Sequence, residues 1–365
     1  MRASACARLA WPAAIAVGTA MLCLFGGCQP QQQTAQQSPP AATKESPLEP
    51  LPLPSEVKGG AARKVAMIPK RKGMAYFNAA EKGAQQAAQD LNVELLYEGP
   101  EQADDVNKQI EIIESFIVQK VDAICISAND PSTVAPALRK ARDNGIHVLT
   151  WDADADPQAS GREFMVDQAS PEMIGRTLVD VMAEEAGSAA QCCIISGSAT
   201  AANQNEWMKW MREEIKSKYP KMQILAVKPS EEDQQRARQV TEDVLRAYPE
   251  LKGIFAITSV AFPGAAAALE KSDRKGKVAL TGLSSPKTMR GWVESGTVKT
   301  VVLWNAVDLG YLTIVAARGL CDGTLKPGAT SLSAGRLGTK TVDGQRVVLG
   351  DPMLFTKDNI GQFDF

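Results

Sequence analysis

Residues 123–154 read AICISANDPSTVAPALRKARDNGIHVLTWDAD, and this stretch decides how the chain folds. It begins with an apolar run at Ala123–Ser127 and ends with another at His147–Thr150, each of which has the length of a buried strand. Between them, Pro131–Asn144 favours a helix that begins behind the acidic Asp130 and stops before a glycine. A strand, a helix and a second strand of these lengths predict a parallel βαβ unit.

The same alternation of strand and helix continues on both sides of this unit. Upstream, the pattern predicts strands at Val65–Ile68 and Val93–Tyr97 and helices at Phe77–Leu91 and Asp104–Gln119. Downstream it predicts strands at Cys192–Ser196, Gln223–Val227, Gly253–Ile257, Val278–Thr281 and Val298–Leu303. The helices between them are predicted at Pro171–Ala186, Asn203–Lys218, Asp233–Tyr248, Pro263–Lys271, Ser285–Glu294 and Asn305–Leu320. One sheet would not readily hold so many strand–helix units. The sequence therefore predicts an α/β protein with two similar Rossmann-like lobes.

The first 62 residues differ in composition from the rest. Arg2 and Arg8 precede an apolar run, Leu9–Phe25, that is short for a membrane span of about 20 residues. The run ends in Gly-Gly before Cys28, which is similar to a bacterial lipoprotein cleavage box. We therefore expect residues 1–28 to be a lipoprotein signal peptide and Cys28 to carry a lipid that holds the protein at a membrane, in the periplasm or cell envelope. An ordinary signal peptide or an uncleaved anchor stays open. Residues 29–62 are rich in Gln, Pro, Ala and Ser and predict a disordered tether.

Composition and motifs exclude most other classes of protein. The formal net charge of −2 gives no basic footprint for nucleic acid. His147 is the only histidine in the sequence, so most metal sites and nucleophilic catalytic sites that depend on imidazole are excluded. The sequence contains no phosphate-binding glycine loop and no Gly-x-Ser-x-Gly motif, so we expect no metal, no cofactor and no enzymatic activity. A glycosidase that uses Asp152 and Asp154 is a remaining alternative that the parallel lobes disfavour.

Polar and aromatic residues collect where the predicted strands end. In open α/β sheets the ligand lies beyond the carboxyl ends of the strands. The polar candidates there are Lys70, Asp152, Asp154, Asn203, Gln204, Ser259 and Asn305, and the aromatic candidates are Tyr76, Phe77, Trp151 and Trp304. Carboxylates, amides and an ammonium group suit the hydroxyls of a polyol, and aromatic rings can cover the apolar faces of a sugar. Ordinary roles also stay open, with Trp151 as a core residue and Asp154 as a solvated loop acid.

Several stretches between Arg63 and Phe365 resemble periplasmic binding proteins of the ribose-binding class, most closely those that bind autoinducer-2 or rhamnose. The matching stretches are 68–70, 148–154, 203–207, 296–299 and 359–365. This resemblance implies the type I periplasmic binding protein fold, in which three crossings join two lobes and the ligand is clamped between them. It also implies a monomer that works with the permease and ATPase of an ABC importer.

Lobe boundaries follow from this implied fold and from the crossings that the sequence suggests at Asp167-Gln168 and near Gly282. We expect the N-terminal lobe to contain residues 64–167 and 284–330 and the C-terminal lobe to contain residues 168–283 and 331–365. Ligand binding should then close the two lobes on each other by a hinge motion.

The autoinducer-2 pattern carries over to this chain only in part. Three of its ligand positions match, at Lys70, Asp152 and Gln204. Asn203 replaces its second aspartate, while Ile257 and Ser259 stand where the pattern has proline and alanine. A pocket whose polar groups are mismatched rejects a ligand strongly, because buried groups go unpaired. We therefore favour a monosaccharide such as the deoxyhexose rhamnose. Two other ligands stay open, autoinducer-2 and another small polyol. The protein could also be a sensory module that presents its ligand to a membrane receptor.

Overall fold

The computed structural model describes residues 61–102 and 105–365. The predicted signal peptide, Cys28 and nearly all of the predicted tether lie outside these residues. Within the described part of the chain, no helix has the length and apolar character needed to cross a bilayer.

The strands and helices alternate as the sequence predicts. In chain order the strands are β1 (Arg63–Ile68), β2 (Val93–Tyr97), β3 (Ala123–Ile126), β4 (His147–Trp151), β5 (Phe164–Asp167), β6 (Gln191–Ser196), β7 (Gln223–Pro229), β8 (Gly253–Ala256), β9 (Ala279–Leu283), β10 (Val301–Leu303), β11 (Ser331–Ser333), β12 (Thr339–Asp343), β13 (Arg346–Val348) and β14 (Met353–Phe355). The helices are α1 (Ala75–Asp90), α2 (Val106–Val118), α3 (Ala135–Asp143), α4 (Pro157–Ser160), α5 (Pro171–Ala186), α6 (Ala202–Lys218), α7 (Gln234–Ala247), α8 (Ala261–Glu270), α9 (Pro286–Glu294) and α10 (Ala306–Cys321). Short 3-10 turns lie at Gly335–Leu337 and Ile360–Gln362.

The strands form two sheets, one for each lobe. The first has the order β11-β12-β13-β5-β4-β3-β1-β2, and the second has the order β14-β10-β9-β8-β6-β7. In the first sheet β1 to β5 and β13 pair in parallel, and β11 and β12 add an antiparallel ribbon at one edge. In the second sheet only β14 runs against its neighbour. The predicted two-lobe α/β fold is confirmed.

Three chain crossings connect the lobes. They run from β5 to α5, from β10 to α10, and from β13 to β14. Helix α10 packs on α1 and on the first sheet, whereas α9 packs on the C-terminal 3-10 turn. The chain therefore passes between the sheets at residues 168–170, 304–305 and 349–352.

The predicted lobe boundaries are wrong for two segments. Strand β10 pairs with β9 and β14, so residues 284–304 belong to the second lobe and not to the first. Strand β13 pairs in parallel with β5, so residues 331–348 belong to the first lobe and not to the second. Both errors arise because short strands take their lobe from the neighbour they pair with, and local sequence does not encode that neighbour.

Two glycines bring α1 and α10 into close contact. A Cβ atom at Gly83 would lie 1.7 Å from the carbonyl oxygen of Val307, and one at Gly310 would lie 1.8 Å from that of Ala80. Only glycine permits this backbone approach. The contact fixes the first turn of α1, with Tyr76 and Phe77, beside the crossing that leads into α10.

Candidate functional site

The carboxyl ends of the parallel strands of both sheets line a cleft between the lobes. The space between protein atoms in this cleft is about 570 Å³, a figure that includes space open to solvent. Many of the residues predicted from the sequence lie around it, namely Lys70, Tyr76, Phe77, Asp152, Asn203, Gln204, Ile257, Ser259 and Trp304. The structure thus brings together residues from both lobes that are up to 234 positions apart in the chain, from Lys70 to Trp304.

Asp152 is the buried carboxylate of the first lobe. It follows β4 directly, is 5% exposed and has a φ of 60°, a left-handed conformation that aspartate tolerates better than most residues. Its carboxylate accepts hydrogen bonds from the Tyr76 hydroxyl at 2.9 Å, the Ser127 hydroxyl at 2.8 Å and the Gln168 amide at 3.0 Å. A carboxylate has about four acceptor sites. Three protein donors therefore fix the orientation of Asp152 and leave it room to accept from a ligand hydroxyl.

Tyr76 connects this carboxylate to the second lobe. Its hydroxyl oxygen accepts a hydrogen bond from the indole N–H of Trp304 at 2.9 Å. Burial, and then the negative charge of Asp152, hold the pKa of Tyr76 well above its usual range. The phenol consequently stays protonated and serves as the donor to Asp152.

Aromatic rings form an apolar wall beside these polar groups. Trp304 lies 6.1 Å from Tyr76 and 5.9 Å from Trp207 between ring centroids, and Tyr76 lies 5.1 Å from Phe77. The Tyr76 pairs meet edge to face, a favoured arrangement of aromatic rings. Such a wall can cover the apolar face of a small ring.

Gln204 organises the side of the cleft that belongs to the second lobe. It is 3% exposed, and its carbonyl oxygen accepts from the Gly197 N–H at 2.7 Å. Its amide nitrogen donates to the Glu232 carboxylate at 2.9 Å. At the start of α6, the Asn203 side-chain oxygen accepts from the backbone N–H of Gln204 at 2.9 Å. Both the oxygen and the nitrogen of the Gln204 amide therefore bind protein partners, and Gln204 holds Glu232 in place.

Lys70 supplies a cation at the end of β1. Its backbone carbonyl accepts from the Asn129 amide at 3.1 Å, which ties it to the end of β3. Within residues 61–102 and 105–365, the Lys70 ammonium group has no hydrogen bond or salt bridge, whereas neighbouring Arg71 donates to the carbonyl of Glu101 at 3.0 Å. Lys70 can therefore donate to a ligand oxygen without breaking an existing contact.

Three predicted candidates lie elsewhere. Asp154 forms a bidentate ion pair with Arg162, at 2.6 and 2.7 Å, under the end of β4. Asn305 caps α10, where its side-chain oxygen accepts from two backbone N–H groups of the first turn at 3.0 and 3.2 Å. Trp151 is fully buried and packs against Phe77 with 5.7 Å between ring centroids, so its role is in the core. Asp154 and Asn305, which the sequence predicts as ligand contacts, are therefore not among the residues that line the cleft and hold protein partners instead. Trp151 takes the core role that the sequence left open.

Other residues line the cleft without having been predicted as contacts. They are Arg71, Met74, Asn129, Trp207, Glu232, Thr258, Leu283 and Leu303. Asn129 lies in the loop at the end of β3, three residues after Ile126, and Trp207 lies one helical turn after Asn203. The spacing of both residues could therefore have indicated a place in the cleft. Glu232 lies in a loop after the edge strand β7, where the sequence gives no such signal.

Residues 65–325 match the model of a family described as periplasmic binding protein domain. The chain belongs to this family. A D-ribose/D-allose-binding protein of Pseudomonas aeruginosa is 25% identical over 240 residues, which is 64% of this chain and 75% of that protein. The D-allose-binding periplasmic protein of Escherichia coli is 23% identical over 68% of this chain and 82% of its own length.

Solved structures of periplasmic binding proteins agree with this assignment. An ABC transporter solute-binding protein of Clostridium phytofermentas with bound L-rhamnose is 30% identical, with a TM-score of 0.78 over 83% of this chain and 98% of that one. LsrB of Clostridium saccharobutylicum in complex with AI-2 is 32% identical, with a TM-score of 0.76 over 83% of this chain and 100% of that one. These relatives are binding proteins and not enzymes, and the chain is likewise a solute-binding protein of the sugar ABC transporter class. No group of three or more His, Cys, Asp or Glu side chains among the described residues could hold a metal ion.

Proposed function

We propose that this protein is an extracytoplasmic lipoprotein that captures an uncharged monosaccharide, such as rhamnose or another deoxy sugar, for an ABC importer. The sugar binds in the cleft between the lobes. Lys70, Asp152, Asn203 and Gln204 surround its polar edge, Ser259 supports them, and Tyr76, Phe77 and Trp304 cover its apolar face. The lipid on Cys28 keeps the protein near its permease and ATPase.

The single observation that carries this proposal is the Asp152 carboxylate held between Tyr76, Ser127 and Gln168 at the foot of an aromatic wall. A fixed acceptor beside apolar rings suits a molecule with hydroxyls on its edge and C–H groups on its face. The similarity to a solute-binding protein with bound L-rhamnose supports a deoxyhexose in particular.

Autoinducer-2 is the second candidate, and the similarity to LsrB in complex with AI-2 favours it. Three positions where this chain departs from the autoinducer-2 pattern, Asn203, Ile257 and Ser259, line the cleft. Because Asn203 replaces a carboxylate and Ser259 adds a hydroxyl next to the ligand, we rank a sugar above autoinducer-2.

A thermal-shift screen tests the choice of ligand. The mature protein is heated with L-rhamnose, D-ribose, D-allose, D-arabinose, D-fucose and autoinducer-2, each at millimolar concentration. A ligand that binds only the folded protein raises its stability by about 2.7 kcal/mol at 100 times its Kd. The proposal expects at least one monosaccharide to raise the melting temperature more than autoinducer-2 does. A shift with autoinducer-2 alone would establish the second candidate.

A further inference from the structure

Glu232 is a second carboxylate in the cleft, on the lobe opposite Asp152. The two carboxylates are held in the same way, since Gln168 donates to Asp152 at 3.0 Å and Gln204 donates to Glu232 at 2.9 Å. Both glutamines are buried, with exposed fractions of 1% and 3%. Each lobe thus presents one carboxylate whose position is fixed by a buried amide.

The backbone that carries Glu232 is unusual. Glu231 and Glu232 have φ values of 52° and 50°, in the left-handed region that residues other than glycine, asparagine and aspartate rarely adopt. The Glu231 N–H donates to the Gly197 carbonyl at 3.0 Å, and the Ser230 N–H donates to the Ser196 carbonyl at 2.8 Å. These bonds fix the loop after β7 over the end of β6. Strained backbone that its surroundings hold in place is typical of functional sites.

Gly197 leaves room for the Glu232 carboxylate. A Cβ atom there would lie 2.0 Å from Glu232 Oε1 and 3.0 Å from Gln204 Nε2, and the atoms nearest to it all belong to these two side chains. Gly197 does not have a positive φ, so its backbone conformation does not itself require glycine. What the glycine provides is the space in which Gln204 meets Glu232.

The charges that line the cleft are balanced. Asp152 and Glu232 are acidic, while Lys70 and Arg71 are basic. A site with this balance suits an uncharged ligand, and a fixed carboxylate accepts hydrogen bonds from hydroxyl groups.

We infer that Glu232 is a specificity-determining residue that accepts hydrogen bonds from the hydroxyls at the end of an uncharged sugar that faces the second lobe. Asp152 performs the same task at the other end. The inference rests on the proposed function and extends it, since it requires hydroxyl donors at both ends of the ligand.

Calorimetric titration of variants tests the inference. The ligand is the sugar from the thermal-shift screen that stabilises the unsubstituted protein (the parent) most. Glu232→Ala removes the carboxylate, and Gly197→Ala displaces it without removing it. Glu232→Gln keeps an acceptor for Gln204 but loses the charge. Glu231→Gln is the matched control, because the side chain of Glu231 reaches toward Arg236, at 3.9 Å, outside the residues that line the cleft. A thermal melt without sugar confirms that each variant is folded.

We expect Glu232→Ala and Gly197→Ala each to weaken binding at least about tenfold, Glu232→Gln to weaken it about three- to tenfold, and Glu231→Gln to change it less than about twofold. The double variant Gly197→Ala/Glu232→Ala should bind no more weakly than Glu232→Ala alone, because both changes remove the same contact. If folded Glu232→Ala and Glu232→Gln bind like the parent while Asp152→Ala loses binding, the inference is overturned and the proposed function stands. If the parent binds none of the sugars, both are overturned.

Discussion

The indole N–H of Trp304 donates to the hydroxyl oxygen of Tyr76 at 2.9 Å and thereby joins the two lobes at the base of the cleft. Trp304 directly follows β10 of the second lobe, and Tyr76 lies in the first turn of α1 in the first lobe. Because Tyr76 also donates to Asp152, the same hydroxyl connects Trp304 to the carboxylate that we assign to the ligand.

Replacing Tyr76 by phenylalanine should affect both stability and binding. The change leaves the buried N–H of Trp304 without an acceptor and removes one donor from Asp152, so we expect a loss of about 1–3 kcal/mol of unfolding free energy and weaker sugar binding. Urea denaturation and calorimetry measure the two effects. Tyr97→Phe is the control, since its hydroxyl donates to the carbonyl of Phe77 at 3.0 Å and it does not line the cleft. Equal losses of sugar affinity in the two variants would argue against a special role for Tyr76.

Asp152 and Asp154 are two residues apart and should respond differently to alanine substitution. Asp152→Ala should weaken sugar binding at least about tenfold, because it removes a charged acceptor of hydroxyl groups. Asp154→Ala leaves the buried charge of Arg162 without its carboxylate partner and should cost about 3–5 kcal/mol of stability, with the affinity of the folded fraction unchanged. Calorimetry and urea denaturation on both variants separate the roles. The assignment fails if Asp154→Ala loses affinity in the folded state and Asp152→Ala does not.

Asp130 offers a milder comparison on the same lobe. Its carboxylate accepts from the backbone N–H groups of Ser132 and Thr133 at 3.1 and 2.8 Å, so it caps the turn that leads into α3. Asp130→Ala should therefore cost about 1 kcal/mol of stability and leave sugar affinity within about twofold of the parent. A loss of affinity as large as that of Asp152→Ala would place Asp130 among the ligand contacts.

Glu185 should make stability depend on pH. Burial raises the pKa of this carboxyl to about 7, although a hydrogen bond with Thr300 and the charge of Lys299 oppose the shift. The Glu185 carboxyl then binds more protons in the folded state than in the unfolded state, so its contribution to stability is greatest below about pH 4.5 and falls as the pH rises toward 7. Glu185→Gln should remove this loss and stabilise the protein at pH 8 by about 1–3 kcal/mol, with little effect at pH 4. Urea denaturation at both pH values measures this, and Glu184→Gln at an exposed neighbouring position should give a smaller gain, because the charge of Glu184 causes only a small part of the shift. No gain at pH 8 would contradict the account of Glu185.

Export and lipid attachment make a separate prediction. Mass spectrometry of the native protein should find a chain that begins at acylated Cys28, and Cys28→Ser should release the protein from the membrane fraction. A soluble mature chain that begins at another residue would refute the lipoprotein assignment and would leave the sugar site unaffected.

The sequence predicts the long parallel strands and their helices well, because the positions of β3, β4, β6 and β8 follow from continuous apolar runs between helix signals. It misses β5 and the strands from β11 to β14. These strands are short. Within β11 to β13 only Leu332, Val342 and Val347 are buried, so strand pairing and not composition decides where these strands lie. The same ambiguity produced the two lobe-boundary errors.

Some residues of the candidate site could likewise be predicted from the sequence, and others could not. Residues that lie within two positions of the end of an apolar strand, such as Lys70 and Asp152, could be predicted because the carboxyl ends of parallel strands meet at one edge. The ion pair of Asp154 could not, since its partner Arg162 is set by the loop after β4. Glu232 could not either, because its position depends on a left-handed backbone and on the space that Gly197 leaves.

Calorimetric titration of the parent and of Asp152→Ala with the panel monosaccharides tests the central claim most directly, which is that a sugar binds between the lobes at Asp152. The account predicts one site per chain in the parent for at least one monosaccharide, and a Kd at least about tenfold higher in folded Asp152→Ala. Binding of equal affinity in both proteins, or no binding of any monosaccharide to the parent, would contradict it.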